Sequence, residues 1–404
     1  MGEAQQEWRQ GWRAVLAAGI GYSTGFILFA YLSSLFIEPY TAEFGWSRGE
    51  LGLAGAASAC AALFAPSIGR FIDRFDVRHV LLVGITGYGL TTVALSQMTG
   101  QLWMLFGLMF LFVLFGLCTG SLSWTRVVSV AFARARGTAL SVALSLVALT
   151  AAVMPPVTNW VIETQGWRTA WLVIGAVGVG FGLLAVAVLP ARFSQPVPRD
   201  TAVTNLWDAA RKPAFWCVVG GMFFVNIPSG GLLNNLAALI TDKGISGAMA
   251  ATLMSSFGLS VLIGRLIAGV CLDRYPAALV AGLFMALPAL GCLLLLSDGA
   301  ALAPLLVGIV LAGLSQGAES DVAPFVVARW FGLAAFGRVL GSVNVGLVMG
   351  TAAGTVLFGK VHDATGSYDL ALWIGTGCFL LGSALFFGLR KPPVPIAYAV
   401  PAQA

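Results

Sequence analysis

Charge is the scarcest feature of this chain. Only 10% of its 404 residues are Asp, Glu, Lys or Arg, against about 25% in an ordinary soluble domain. So little charge cannot cover a globular surface in water, which excludes a soluble enzyme or binding module. There are two histidines, His79 and His362, and neither has a nucleophile or a metal-ligating partner at useful spacing. The six cysteines (Cys60, Cys118, Cys217, Cys271, Cys292, Cys378) are scattered through apolar runs without a CxxC pair. That pattern suggests neither a disulfide framework nor a zinc site. No phosphate loop, nucleophile elbow or HExxH is present, so no enzymatic activity, cofactor or metal is expected. The polar N-terminus, MGEAQQEWRQGWR, lacks the n-region and cleavage pattern of a signal peptide. The net charge of +5 sits in short loops and forms no stripe, which argues against nucleic acid as a partner.

What the chain has instead is apolar length. It is 58% hydrophobic with a mean hydropathy of +0.90. The apolar runs are continuous, whereas a membrane barrel would show alternating segments of about ten residues. Twelve spans are expected, each near the roughly 20 residues that a bilayer requires: 13–37, 49–71, 78–98, 101–131, 138–160, 168–190, 213–240, 246–271, 277–297, 301–328, 338–360 and 369–390. Turn signals such as Glu38-Pro39, Gly100-Gln101, Gln165-Gly166 and Thr365-Gly366 separate them. The longest polar break, 191–212, divides the spans six and six. Lys and Arg crowd one side (Arg70, Arg74, Arg78, Arg134, Arg136, Arg192, Arg211, Lys212, Arg274, Arg329, Arg338), and the other holds only Arg48, Arg168, Lys243 and Lys360. Both termini are therefore expected on the cytoplasmic face.

An internal repeat organises the whole. Gly69-Arg70-Phe71-Ile72-Asp73-Arg74 is answered by Gly269-Val270-Cys271-Leu272-Asp273-Arg274, and Gly137-Thr138-Ala139-Leu140-Ser141 by Gly337-Arg338-Val339-Leu340-Gly341, both at an offset of 200. The expected fold is an all-α membrane protein of twelve transmembrane helices in two pseudo-symmetric six-helix halves. The halves are 1–190 and 213–390, joined by a cytoplasmic linker 191–212 and followed by a short tail 391–404. Repeats of this kind place a substrate site at their interface near the midplane.

These motifs resemble the major facilitator superfamily. Its loop motif, Gly-x-x-x-Asp-Arg-x-Gly-Arg-Arg, is matched by Gly69, Asp73, Arg74 and Arg78, with Asp76 and Val77 departing from it. Within the superfamily the chain looks most like the monocarboxylate transporter and oxalate–formate antiporter group. That likeness rests on Met154-Pro155-Pro156 leading to Gly166-Trp167-Arg168, on Gly264-Arg265, and on Phe358-Gly359-Lys360-Val361-His362-Asp363. The resemblance implies transport of a small organic anion with a proton, in a bacterial-type inner membrane, by a monomer. It also implies that Asp73, Arg74, Asp273 and Arg274 form a conformational latch. The chain lacks the lysine that the monocarboxylate carriers have on span 1. It has Val261 where they carry an acid, and Asn344 where the oxalate carriers have a lysine.

The missing acid directs attention to Glu319 and Asp321, two carboxylates inside one apolar span. Such groups cost several kcal/mol in hydrocarbon unless paired, wet or protonated, and so mark function. At a rise of about 1.5 Å per residue, Arg265, Arg126 and Glu319 all lie roughly 12–15 Å above the cytoplasmic edge. Arg265 is the expected ligand for a carboxylate, since a guanidinium offers a fork that matches two oxygens. Arg126 is a second candidate ligand, a partner for an acid on span 10, or a snorkelling group. Gln316, Glu319, Ser320 and Ala323 share one stripe, and Asp321 faces the other way with Gly317 and Pro324. Glu319 is the favoured proton carrier and Asp321 a structural acid. Tyr31, Asn226, Gln316 and Asn344 complete the expected substrate contacts. Asn226 to Asn235, with Pro228, Gly230 and Gly231, reads as a bend in span 7 or as a proline kink with bonding asparagines. The alternatives to proton symport are substrate–product antiport and proton-driven export of drugs or metabolites.

Overall fold

The computed structural model describes residues 2–47, 50–51, 60–196, 205–297 and 302–389. The helices are numbered by span. The first, α1, comprises Glu3–Ser23 and Ile27–Phe44, which meet at a bend of 40°. The others are α2 (Ala65–Arg74), α3 (Val77–Ser96), α4 (Leu102–Ala131), α5 (Arg136–Gln165), α6 (Trp167–Val188), α7 (Pro213–Asp242), α8 (Gly247–Arg274), α9 (Ala277–Leu295), α10 (Leu302–Phe331), α11 (Phe336–Thr365) and α12 (Asp369–Phe387). Every one from α3 to α12 is long and apolar enough to cross a bilayer, and the two segments of α1 together make an eleventh such span. The expected second span, 49–71, lies partly outside the described residues. So do the tail 391–404 and part of the linker, whose described residues form two short turns, Ala191–Phe193 and Leu206–Ala210. The chain thus forms the twelve-helix bundle expected.

Two helices differ from their expected form, and in a third, α7, the second of its two expected readings is seen. In α1 the turn expected at Glu38-Pro39 is helical. Pro39 falls in the first turn of Ile37–Phe44, where a missing N–H costs nothing, and the helix stops instead at Gly45, whose φ of 71° suits glycine. In α4 the helix is interrupted at Gly120, which is extended. Carbonyls released by that break are taken up by side chains one turn on: Ser123 Oγ donates to Cys118 O (2.5 Å) and Trp124 Nε1 to Thr119 O (3.0 Å). In α7 no break occurs. The helix runs through Pro228, and its asparagines bond to neighbours: Asn226 to Glu319 and Asn234 to Thr355 (2.7 and 2.9 Å).

The first six helices meet the last six chiefly along two pairs, α2 with α11 and α5 with α8. Both pairs close through glycines. A Cβ on Gly69 would stand 2.0 Å from Gly337 O, and one on Gly137 would stand 2.4 Å from Gly269 O. An offset of 200 added to Gly69 and subtracted from Gly337 gives Gly269 and Gly137, the second pair, so the contact is two-fold. The two crossings lie at the end that carries the α2–α3 and α8–α9 turns.

An acid outside the repeat holds the turn between α4 and α5. The Glu7 carboxylate accepts from the backbone N–H of Ala133, Arg134 and Ala135 at 3.0–3.3 Å. Trp8 packs edge-on against Phe132. Arg136, almost fully buried, donates to Phe132 O and Ser129 O (3.0 and 3.1 Å), satisfying the last carbonyls of α4. Loss of a carboxylate capping several N–H groups costs about 1–2 kcal/mol. Glu7→Ala is therefore expected to lower the apparent Tm by a few degrees in a detergent melt, with Glu7→Gln intermediate. An unchanged melting curve for Glu7→Ala would remove this clamp from the account of stability.

Candidate functional site

The site is built where α8 and α10 touch. A Cβ on Gly317 would stand 2.0 Å from Val261 O, and one on Gly264 would stand 2.2 Å from Leu314 O. Backbone contact at both glycines brings the next polar side chains together. Arg265 Nη1 lies 3.9 Å from Asp321 Oδ1; the Asp321 side chain is wholly buried and that of Arg265 is 11% exposed. Asp321 Oδ2 accepts from Ser141 Oγ of α5 at 2.7 Å. The same hydroxyl lies 2.9 Å from Arg265 O and 3.1 Å from Gly137 O. It has one proton to give, and a charged carboxylate is the strongest of the three claimants. Arg265 Nη1 and Asp321 Oδ1 have no hydrogen-bond partner among the described residues. The separation of 3.9 Å is an attraction without a bond.

Glu319 lies on another side of α10 and is also buried. Its Oε1 accepts from Asn226 Nδ2 at 2.7 Å. Asn226 also donates to Met222 O (2.8 Å), and its Oδ1 accepts from Thr351 Oγ1 (3.3 Å). The chain Thr351–Asn226–Glu319 thus ties α11, α7 and α10. Glu319 Oε2 is buried without a hydrogen-bond partner among the described residues, and the salt bridges of the described residues give Glu319 no cation.

The other expected residues are dispersed. Tyr31 is 47% exposed. Tyr22, one bend earlier on α1, lies within electrostatic reach of Tyr31, Arg265 and Asp321, which links Tyr31 to the Arg265 region. Asn344 is half-buried. Gln316 lines a narrow, largely apolar cleft with Ser229, Leu236 and Phe257. Arg126 is completely buried and stands 4.0 Å from Asp73, an acid of α2 rather than of α10. Complete burial also removes the snorkelling role.

The latch residues separate by type. Asp73 accepts from the backbone N–H of Gly337 (2.7 Å) and Arg338 (3.1 Å) at the start of α11. Asp273 accepts from Gly137 N (2.6 Å), Thr138 N (2.8 Å) and Thr138 Oγ1 (2.6 Å) at the start of α5. Neither α5 nor α11 has a capping side chain of its own. Each orphan N-terminus is thus capped from the opposite six helices, and each carboxylate meets the positive end of a helix dipole. Arg74 and Arg274 are exposed, and Arg74 lies over the Phe75 ring at 5.8 Å. The aspartates make the crossing and the arginines do not.

Sequence reasoning passed over Ser141, Thr351 and Glu7. For Ser141 a signal existed: it occupies the position of Gly341 in the repeat, so the two copies differ at that one crossing. Thr351 and Glu7 carried none, since their partners are 125 or more residues away.

A bundle of helices long and apolar enough to span a membrane, crossed by buried acids and arginines, defines a membrane carrier. The sequence matches the Major Facilitator Superfamily profile twice, over residues 15–234 and 218–402. The chain belongs to that superfamily. It is similar to monocarboxylate transporter 13 of Bos taurus, with 24% identity over 93% of this chain and 88% of the relative. It is also similar to monocarboxylate transporter 11 of Mus musculus, with 26% identity over 94% and 88%. Among solved structures it shares the fold of the transporter FucP in its outward conformation, with a TM-score of 0.72 and 15% identity over 93% of this chain and 97% of that one. The human organic anion transporter MFSD10 gives a TM-score of 0.70 and 16% identity over 93% and 99%. These relatives are membrane transporters, not enzymes.

Proposed function

We propose that the protein is a secondary active transporter carrying a small organic monocarboxylate together with a proton by alternating access. Halves 1–190 and 213–390 rock about Arg265. The observation that carries this reading is the incomplete pairing of Arg265 together with its partial exposure, 11%, where the equally unbonded Arg126 is fully sealed. A fixed cation at membrane depth is held by an acid too far away to hydrogen-bond. A substrate carboxylate within bonding distance competes with that arrangement on favourable terms, because a charge-assisted, two-pronged bond replaces a longer contact. The likeness to monocarboxylate transporters supports the same substrate class.

Asp321 is the resting counter-charge of Arg265, and its bond to Ser141 of α5 couples the site to the opposite half. Substrate that draws Arg265 away from Asp321 changes an interaction spanning both halves. Glu319 faces no cation among the described residues, so it exchanges a proton rather than a counter-ion; a proton taken up there offsets the negative charge of the cargo. Arg126 serves the latch, steadying Asp73, and takes no part in holding substrate. With the Lys- and Arg-rich end cytoplasmic, the aspartate caps close the inner side and the conformation is outward-facing. The protein then sits in a bacterial-type inner membrane as a monomer.

The test is uptake into proteoliposomes across a panel of labelled monocarboxylates. Wild type is expected to accumulate substrate only under an inward proton gradient. Glu319→Gln is expected to retain exchange of labelled for unlabelled substrate and to lose gradient-driven accumulation by at least about tenfold, the scale of one lost pre-organised proton site. Gradient-driven accumulation that survives in Glu319→Gln and fails in Asp321→Asn would move the proton to Asp321. Exchange without any gradient dependence in wild type would make the protein an antiporter. Movement of cationic compounds and of no carboxylate would favour an exporter.

A further inference from the structure

Behind the latch helix lies a groove that the transport reading does not use. It runs between α2, α3 and α4, is lined by Ile68, Phe71, Phe75, Val83, Leu114 and Phe115, and has a volume of about 390 Å³ with a wall that is apolar apart from His79. It is open along one side. Phe71 is 53% exposed and Val83 61%, so apolar surface faces outward here without a protein partner among the described residues. His79 sits in the wall next to the α2–α3 turn. Arg74, on the same turn, places its guanidinium over the Phe75 ring, itself part of the wall. The groove therefore has an apolar barrel and a basic mouth. Arg78 is turned away from it and donates to Leu189 O.

We propose that this groove binds one anionic phospholipid, with an acyl chain along Phe71, Val83 and Leu114 and the phosphate at Arg74 and His79. Charge complementarity selects this occupant. A wall of aromatic and aliphatic side chains rejects a polar peptide, and an exposed cation at the mouth draws an anionic headgroup rather than a neutral one. The chemistry also fits the position of α2, whose next residue inward, Asp73, caps α11. Lipid packed on the outer face of α2 holds that helix where its carboxylate meets Gly337 and Arg338. Bound lipid thereby favours the conformation with this end closed.

Native mass spectrometry of the purified full chain, titrated in detergent with phosphatidylglycerol or phosphatidylcholine of the same acyl chains, tests the site. Wild type is expected to retain one phosphatidylglycerol at least fivefold more tightly than phosphatidylcholine. Val83→Trp fills the groove from an exposed position and is expected to abolish that preference, whereas Leu90→Trp, on the outward face of the same helix away from the groove, leaves it intact. The double variant Arg74→Gln/His79→Gln removes the basic mouth without changing the apolar side chains of the groove and is expected to equalise the two lipids. Equal retention of both lipids by wild type, reporting annular lipid alone, would overturn the proposal, as would an unchanged preference in Val83→Trp. A preference that survives in Arg74→Gln/His79→Gln would equally overturn the assignment of the headgroup.

Discussion

Arg265→Ala is expected to abolish saturable carboxylate uptake, lowering transport on the order of 100-fold, the scale of removing one partner of a buried charge pair. The loss has two sources. Substrate forfeits its charge-assisted bonds, and Asp321 is left in the bundle with only the Ser141 hydroxyl. An uncompensated buried charge is expensive, so Arg265→Ala also tests the pairing itself. The double variant Arg265→Ala/Asp321→Asn removes both charges and is expected to recover the folded yield while transport stays lost. Arg265→Lys keeps the charge without the fork and is expected to retain weak uptake with a raised KM. Uptake undiminished in Arg265→Ala would take the arginine out of the substrate site. Uptake restored in the double variant would make the pair structural.

The second large effect concerns the two aspartate caps. Removing a capping carboxylate costs roughly 0.5–2 kcal/mol, so Asp73→Ala/Asp273→Ala together are expected to shift the conformational equilibrium roughly tenfold to a hundredfold away from the form described here. Gly69→Val is expected to act in the same direction by sterics alone, because even a Cβ there meets the backbone of Gly337 at 2.0 Å. Distances between spin labels placed in pairs across the two ends of the bundle give the readout. Separation at the capped end should increase and separation at the far end should decrease in both variants. Asp73→Asn, with Arg126 still beside it, should lie between wild type and Asp73→Ala, since an amide oxygen still accepts from Gly337 N–H. Unaltered distance distributions in the double alanine variant would show that the caps do not set the equilibrium.

Much of this architecture is legible from hydropathy because a bilayer imposes one rule on every span. Backbone groups must be satisfied internally, so apolar runs of sufficient length become helices whatever their neighbours. The ends of α8, α9 and α10 accordingly lie within a few residues of expectation. Local chemistry alone misleads at Glu38-Pro39, which reads as a turn, yet Pro is at home in a first turn. Around Pro228 it leaves a bend and a kink with bonding asparagines open; the helix runs on with Asn226 and Asn234 bonded to neighbours, and Gly230 and Gly231 admit Thr351 and Phe358 of α11.

The sequence by itself determined the class of fold, the two-fold repeat and the short list of buried charges, because each follows from what hydrocarbon tolerates residue by residue. It could not assign partners. Glu319 and Asp321 stand two residues apart, and only the packing of α10 sends one to Asn226 and the other to Arg265 and Ser141. Arg126 and Arg265 share a depth and neither hydrogen-bonds its acid, and only the fold seals the first beside Asp73 and leaves the second partly exposed beside Asp321. The reason is geometric. Helical periodicity states which residues share a face, whereas the glycine contacts that press one backbone on another decide which faces meet.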